Sequence, residues 1–257
     1  MKKAPTGFPV GAFLYLINLN VIEMKLLTIS DLHGRTVWKE ANIDQYDRVI
    51  FLGDYTDSHI FDNETIFKNL LDIIWLKHQN PHKVVLLIGN HDAQYLHFPY
   101  YRCSGFREGA KAELSSLFGM NASLFQIAHQ EGDYLFSHAG VTKKWLAHFL
   151  VKTGNELNEC TFGYNLAGLL NEAHRQEERF RSLLFDVGPK RGGVNAFGGP
   201  IWADRSETST DFLMGFQQVV GHTPVSDFST IYGDSGSITY TDVLQTKTAF
   251  YEVIIPD

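Results

Sequence analysis

Five short segments each set an aspartate, asparagine or histidine beside a glycine, directly after an apolar, β-rich run. They are Asp31-Leu32-His33-Gly34, Gly53-Asp54-Tyr55-Thr56-Asp57, Gly89-Asn90-His91-Asp92, Ser137-His138-Ala139-Gly140 and Gly221-His222-Thr223-Pro224. Carboxylate and imidazole donors suit Mn, Fe or Zn, and the lack of a matching cysteine set excludes a structural zinc ribbon. Singly such motifs mean little, because a strand-terminal Asp often caps a helix and a lone His is more often a satisfied core or surface residue. Jointly they offer six good ligands. One cation needs three or four, so the set is large enough for two cations about 3.5–4 Å apart that share a carboxylate. The flanking glycines let the backbone turn and approach the ions where a Cβ would clash.

The elements that must position these groups are visible as apolar runs. Leu26 to Ser30, Arg48 to Leu52, Val84 to Ile88, Tyr134 to Ser137 and Phe216 to Val220 read as strands of a buried sheet. Ligands of open α/β sheets bind beyond the carboxyl ends of the strands, which is where the five segments fall. Between the second and third strands a helical pattern runs from Glu64 to Lys77, with Asn63 as N-cap and Pro81 beyond its end, making a βαβ crossover. Lys111 to Phe118 and Lys143 to Val151 also have helical spacing. Asn155 to Phe185 reads as a helical insert whose charged stretch Glu172 to Arg181 faces solvent. Thr230 to Tyr232, Ser237 to Tyr240 and Ala249 to Ile254 form a β-rich end around the turn Gly233-Asp234-Ser235-Gly236. The glycine-rich stretch Gly188 to Gly199 has the composition of a surface loop, either a lid or a plain connection.

The chain has 257 residues, enough for one large domain or two small ones at about 150 residues per domain. Lys and Arg total 22 against 29 Asp and Glu, a formal net charge of −7. That balance argues against stable nucleic-acid binding, so a phosphate-bearing ligand must be gripped locally. Two cysteines, Cys103 and Cys160, cannot build a disulfide framework, and a reducing cytoplasm is the expected compartment. The apolar run from Phe8 to Ile22 follows Lys2 and Lys3 but is interrupted by Pro9, Asn18 and Asn20. It falls short of the about 20 residues of a transmembrane helix, and no membrane association is expected. Residues 1–23 therefore read as an N-terminal extension, an extra arm or a start placed upstream of the natural one, before a catalytic domain over 24–257. The oligomeric state is open.

The five segments, in this order, resemble the successive signatures of calcineurin-like metallophosphoesterases, over about residues 24 to 255. The Ser-His-Ala-Gly and Gly-His-Thr forms are similar to the phosphoprotein phosphatase branch, which includes bacterial Ser/Thr protein phosphatases and symmetrical diadenosine tetraphosphatases. Gly199-Pro200-Ile201-Trp202-Ala203-Asp204-Arg205 resembles that branch's Leu-Trp element between the fourth and fifth motifs. The resemblance implies a four-layered α/β/β/α sandwich and a ligand set. Asp31 and His33 would bind the first ion, Asp54 would bridge, and Asn90, His138 and His222 would bind the second. Two divalent ions, Mn foremost with Fe or Zn as alternatives, would activate a bridging hydroxide for in-line attack on phosphorus. His91 would protonate the leaving oxygen, oriented by Asp57 or by the adjacent Asp92. Arg205 is the first candidate for gripping the phosphoryl group and Arg35 the second, with Arg102 or Arg107 reaching over from the segment after His91.

Two departures bear on substrate. Asp57 is followed by Ser58-His59 where the branch has Asp-Arg-Gly, so one phosphate-gripping arginine is missing, and His59 reads as an exposed loop residue. Pro224 stands where phosphodiesterases and nucleases of the superfamily carry a second histidine, which ranks monoesters above diesters. The expected substrate is a phosphorylated small molecule, nucleotide or phosphoprotein. The alternatives are a diadenosine tetraphosphatase or nucleotide phosphohydrolase, and a non-catalytic scaffold of the same fold, which typically loses a ligand or the acid histidine. Tyr95, Phe98, Tyr100, Tyr101 and Phe106 either pack as satellite core, the favoured reading, or line a substrate cleft.

Overall fold

The computed structural model describes residues 23–154 and 165–256. The N-terminal extension up to residue 22 and the opening of the helical insert lie outside the described residues. In chain order the regular elements are β1 (Glu23–Ile29), β2 (Arg48–Phe51), α1 (Asn63–Gln79), β3 (Val84–Leu87), α2 (Asn90–Leu96), α3 (Lys111–Met120), β4 (Phe125–Gln126), β5 (Ala128–Glu131), β6 (Tyr134–Ser137) and α4 (Lys143–Thr153). They continue as α5 (Leu166–Arg175), α6 (Glu178–Leu184), α7 (Arg205–Asp211), β7 (Gln217–Val220), β8 (Ser229–Gly233), β9 (Gly236–Tyr240) and β10 (Tyr251–Pro256).

The strands form two five-stranded sheets, ordered β10-β1-β2-β3-β4 and β5-β6-β7-β9-β8. In the first sheet β1 to β4 are parallel and β10 closes one edge antiparallel to β1. In the second, β6, β7 and β9 are parallel, with β5 and β8 antiparallel at the edges. Both faces of the central strands are buried, and strand side chains alternate between faces, so the runs are apolar throughout. Leu26, Ile50, Val85 and Leu87 meet Phe136 and Val219 of the second sheet in one cluster. Their neighbours Leu27, Ile29, Val49, Phe51 and Leu86 belong to another that includes Ile66, Leu70, Ile73 and Ile74 of α1 and Leu114, Leu117 and Phe118 of α3. The outer side of the second sheet carries Val220, Ile238 and Tyr240 with Phe212 after α7. Two sheets flanked by helices make the expected α/β/β/α sandwich.

Several local expectations need correction. Asp62, rather than Asn63, caps α1 by accepting from the Thr65 N–H at 2.8 Å. The helical insert is broken: α5 ends before Gln176, whose backbone is extended, and α6 starts at Glu178. Its charges pair locally, Arg175 with Glu172 and Arg181 with Glu178, in keeping with a solvated face. β4 and β5 leave no pattern in the sequence, because two to four residues are too few for a period to register. The glycine-rich stretch is tied down by Gly199 N–H to Asp186 O at 2.9 Å and Gly193 N–H to Gly188 O at 3.0 Å. Among the described residues no helix is long and apolar enough to cross a membrane.

Candidate metal centre and cleft

Parallel strands share a direction, so the carboxyl ends of β1, β2, β3, β6, β7 and β9 deliver their following residues to one cleft. It has a volume of about 560 Å3, and its lining includes Asp31, His33, Asp54, Asn90, His91 and His222. The ligand-bearing turns are held in conformations that L-residues seldom adopt. Asp31, His33, Asp54, Asp57 and His222 all have φ between 45° and 64°. Such strain persists only where surrounding structure over-determines it, and it clusters at functional sites. Two glycines show what the turns must accommodate: a Cβ on Gly89 would fall on Asp54 Oδ1, and one on Gly221 would fall on Asp31 Oδ2.

Donor atoms of Asp31, His33 and Asp54 lie within 4.8 Å of one another, and so do those of Asp54, His138 and His222. Asp54 is common to both sets, the position of a bridging carboxylate. Asn90 joins the second set through its Oδ1, 3.1 Å from His138 Nε2. Backbone carbonyls fix the imidazoles. His138 Nδ1 lies 2.9 Å from Leu52 O, and His33 Nδ1 lies 2.9 and 2.8 Å from Thr56 O and Asp57 O. Each Nδ1 must donate there, which leaves Nε2 as a lone-pair donor facing Asp54, at 3.4 Å for His138 and 3.7 Å for His33. Asp31 accepts from the Ser30 hydroxyl and from the His222 N–H at 3.0 Å.

The charges here are unbalanced in a way that a divalent cation would correct. Burial, partly offset by His138, pushes the Asp31 carboxyl up to about 6. Burial would also raise Asp54, yet the His138 and His91 charges hold it well below the usual carboxylate range. Burial lowers His138, but Asp54 outweighs it and carries the imidazole up to about 9. His222 is pushed down by burial and by His138, and its Nε2 is buried without a hydrogen-bond partner. Buried carboxylates facing imidazole Nε2 atoms, with an orphaned buried polar atom among them, fit metal ions, whose binding would displace the Nε2 protons.

His91 sits beside the donors without belonging to either set. Its Nδ1 is 2.9 Å from Asp57 Oδ2 and its N–H donates to Asp54 Oδ1 at 3.0 Å. Burial would lower the imidazole, but the Asp54 charge and the Asp57 hydrogen bond raise it to about 12. Asp57 rather than Asp92 is therefore the carboxylate that orients this ring. Asp92 faces away, accepting backbone N–H groups of Asp54 at 2.6 Å, Tyr55 at 2.9 Å and Gly89 at 3.0 Å, and so braces the turn carrying Asp54. Tyr95 stacks on Phe106 as packing, yet its hydroxyl also grips Asp57 Oδ1 at 2.5 Å.

The arginine expectation needs correcting. Arg205 is the first residue of α7 and points away from the cleft, toward Ser229 Oγ at 3.1 Å and the Tyr240 ring at 4.8 Å. Asp204 caps α7 and closes a capping box with Glu207, which fixes where this helix begins. Arg107 is spent on the carbonyls of Ser58 and Phe61, and Arg102 lies over the Phe106 ring. Arg35 does line the cleft, with His59 at its exposed rim. The second lining guanidinium is Arg191, on the glycine-rich loop, set against Asp204 at 2.9 Å and donating to Thr223 Oγ1 at 2.6 Å. Trp202 and Asp242 also line it. The spacing of Asp242 was the available signal. It stands two residues after β9, as Asp31 stands two after β1 and His222 two after β7.

Two parallel-stranded sheets whose common edge gathers carboxylate, amide and imidazole donors define a metallophosphoesterase architecture. Residues 24–226 match the model of the calcineurin-like phosphoesterases, and the chain belongs to that family. Among solved structures it is similar to the cold-active protein-tyrosine phosphatase of the psychrophile Shewanella sp., at 19% identity over 86% of this chain and 71% of that one, with a TM-score of 0.53. A mutant of a cold-active protein tyrosine phosphatase gives 15% identity, 86% and 71% coverage and a TM-score of 0.52. A protein serine/threonine phosphatase from Saccharomyces cerevisiae is more distant, at 14% identity, 85% and 67% coverage and a TM-score of 0.45. At these identities the likeness is one of fold. Among curated proteins nothing matches.

Proposed function

We propose that this protein is a dinuclear-metal-dependent phosphomonoesterase, similar in chemistry to the phosphoprotein phosphatase branch and acting on a phosphorylated small molecule, nucleotide or phosphoprotein. The observation that carries the reading is the pair of donor sets sharing Asp54, with the Asp57–His91 pair beside them. Asp31, His33 and Asp54 would hold one divalent ion, and Asp54, Asn90, His138 and His222 the other. Such ions, Mn before Fe or Zn for this mix of carboxylate, amide and imidazole, would lower the pKa of a bound water toward neutrality and neutralise phosphoryl oxygens.

The chain's own groups supply the rest. With Nδ1 held by Asp57, His91 offers Nε2–H to the leaving oxygen, and its raised pKa keeps that proton in place at neutral pH. Arg35 and Arg191, the guanidiniums of the cleft, are placed to bind substrate phosphate oxygens. Retention of every ligand position together with His91 favours catalysis over a scaffold role.

The half-buried Trp202, on the cleft wall with its ring 5.8 Å from His222, supports an aryl or nucleotide leaving group as the second reading, diadenosine tetraphosphate included. The net charge of −7 supports the absence of stable nucleic-acid binding, and a chain with only two cysteines, too few for a disulfide framework, supports a reducing, cytoplasmic setting. The test is turnover of para-nitrophenyl phosphate, its bis-ester, a phosphopeptide and diadenosine tetraphosphate by metal-stripped protein and after Mn2+ is restored. Metal-dependent monoester turnover above diester turnover is expected. Dominant diester cleavage overturns the monoesterase reading, and two bound ions without turnover would establish the scaffold.

A further inference from the structure

The glycine-rich loop that carries Arg191 into the cleft is built against the start of α7, and two acids of that helix start each hold it. Asp204 divides its carboxylate. Its Oδ1 accepts from the Ser206 N–H at 2.9 Å, which caps the helix, and its Oδ2 lies 2.9 Å from Arg191 Nε. Glu207 does the same, with Oε2 accepting from the Asp204 N–H at 3.0 Å and Oε1 from the Gly198 N–H at 3.3 Å, near the far end of the loop. A capping box is complete with the bonds made inside the helix start, so the contacts to Arg191 and Gly198 are extra to it.

The loop closes on itself through the Arg191 N–H to Gly188 O at 3.0 Å and the Asn195 N–H to Val187 O at 3.1 Å. The backbone at Arg191 is thereby fixed, and its side chain is held on two sides. Thr223 Oγ1, beside the ligand position His222, accepts from Arg191 Nη2 at 2.6 Å. Arg191 Nε is buried without an aligned hydrogen bond, so its contact with Asp204 is one of opposite charges. A free arginine carries large rotamer entropy, and a guanidinium already in place loses less of it when an anion binds.

Resting on the phosphatase reading above, we propose that Asp204 is a positioning residue for Arg191, holding the loop guanidinium at the cleft wall before a phosphate-bearing substrate arrives. The sign of its effect separates this role from that of a bystander. As a charge alone, an acid near the cleft repels an anionic substrate, and neutralising it would tighten binding. As the anchor of Arg191 it favours binding, and neutralising it weakens the hold on phosphate.

The test combines steady-state hydrolysis of para-nitrophenyl phosphate with calorimetric titration by inorganic phosphate, on the Mn2+-loaded full chain and its Asp204→Asn, Arg191→Ala and doubly substituted variants. Asn caps a helix as well as Asp does, so Asp204→Asn should melt close to wild type. Its KM and phosphate Kd should rise about 3–10-fold, the effect of having to order one long side chain on binding, with kcat moved less. In the Arg191→Ala background the same substitution should change neither KM nor Kd. Asp204→Ser, a second uncharged cap, takes the place of Asp204→Asn if that variant fails to fold. A fall or no change in KM and Kd on neutralising Asp204 overturns the proposal, and so does an equal rise when Arg191 is absent. A wild type that binds phosphate without hydrolysing the ester defeats the phosphatase reading alone, and the same cycle in phosphate Kd then decides the role of Asp204. A wild type that binds no phosphate overturns the proposal.

Discussion

Asp57 Oδ2 lies 2.9 Å from His91 Nδ1, and neither group is free to turn away. Gln94 Nε2 donates to the same carboxylate oxygen at 2.5 Å, and the Tyr95 hydroxyl holds the other at 2.5 Å. The carboxylate is thus fixed from α2, the helix that also begins with Asn90 and His91. Asn90 and His91 are positioned by one short element, and the carboxylate that orients the His91 ring arrives from the turn after β2.

His91→Ala should reduce turnover by about 10²–10⁴-fold, the usual range for an acid–base group. Because His91 is outside both donor sets, metal content should stay near that of wild type. Turnover of a substrate with a good leaving group, such as para-nitrophenyl phosphate, should suffer less than that of an alkyl phosphate. Metal analysis with steady-state kinetics on both substrates checks this, and loss of metal would remove His91 from the acid role.

Asp57→Asn should cost about 10–100-fold in kcat, as for other groups that orient a functional side chain. Removing the carboxylate takes away part of what raises the His91 pKa, so His91 loses its proton at lower pH. The alkaline limb of the kcat profile should move to lower pH, while an acid-limb shift would contradict this assignment.

Asp54→Asn should lose both ions and activity together, since Asp54 belongs to both donor sets. Gly89→Ala should produce much the same phenotype for a steric reason, as its methyl would displace the Asp54 carboxylate. Metal analysis of the two purified variants is the check, and two ions retained by Asp54→Asn would refute bridging.

Arg191→Ala and Arg35→Ala should weaken substrate binding by about 10–100-fold each, the effect of a lost hydrogen bond between charged groups. KM should carry most of it. Arg205→Ala should leave kinetics nearly unchanged, because Arg205 faces Ser229 and Tyr240. Kinetics of the three variants in parallel decides between the loop arginine and the helix arginine.

Metal-free protein should lose thermal stability as pH rises from about 7 to 9. Burial and Asp31 raise the Asp242 carboxyl to about 8, and Asp54 raises His138 to about 9 against the effect of burial. Both groups bind protons more tightly in the folded state than in the unfolded chain over this window, so deprotonation on raising pH favours unfolding. Below about pH 7 the depressed His97, His174 and His222 act in the opposite sense. With ions bound the decline should flatten, since ligand protons are already displaced. Calorimetry of stripped and Mn-loaded protein across pH measures it, and parallel curves would contradict the linkage.

Much of the site could be read in one dimension. A parallel strand delivers whatever follows it to the same edge as its neighbours, so Asp31, His33, Asp54, Asn90, His138 and His222 are legible in the sequence as strand-end donors beside glycines. The alternation of two buried faces likewise made β1, β2, β3, β6 and β7 visible as apolar runs. Side-chain direction was not legible, because it depends on contacts between segments far apart in sequence. Ser229 and the Tyr240 ring hold Arg205 away from the cleft, and a loop pinned to Asp186 brought Arg191 in. Asp57, not Asp92, became the partner of His91 because four backbone N–H groups from two turns had already claimed Asp92. Asp242 entered the cleft only because β9 pairs parallel to β7, a pairing decided by packing between the sheets. Local sequence determined which donors exist and at which strand ends; the tertiary structure, by choosing neighbours, decided which of them converge.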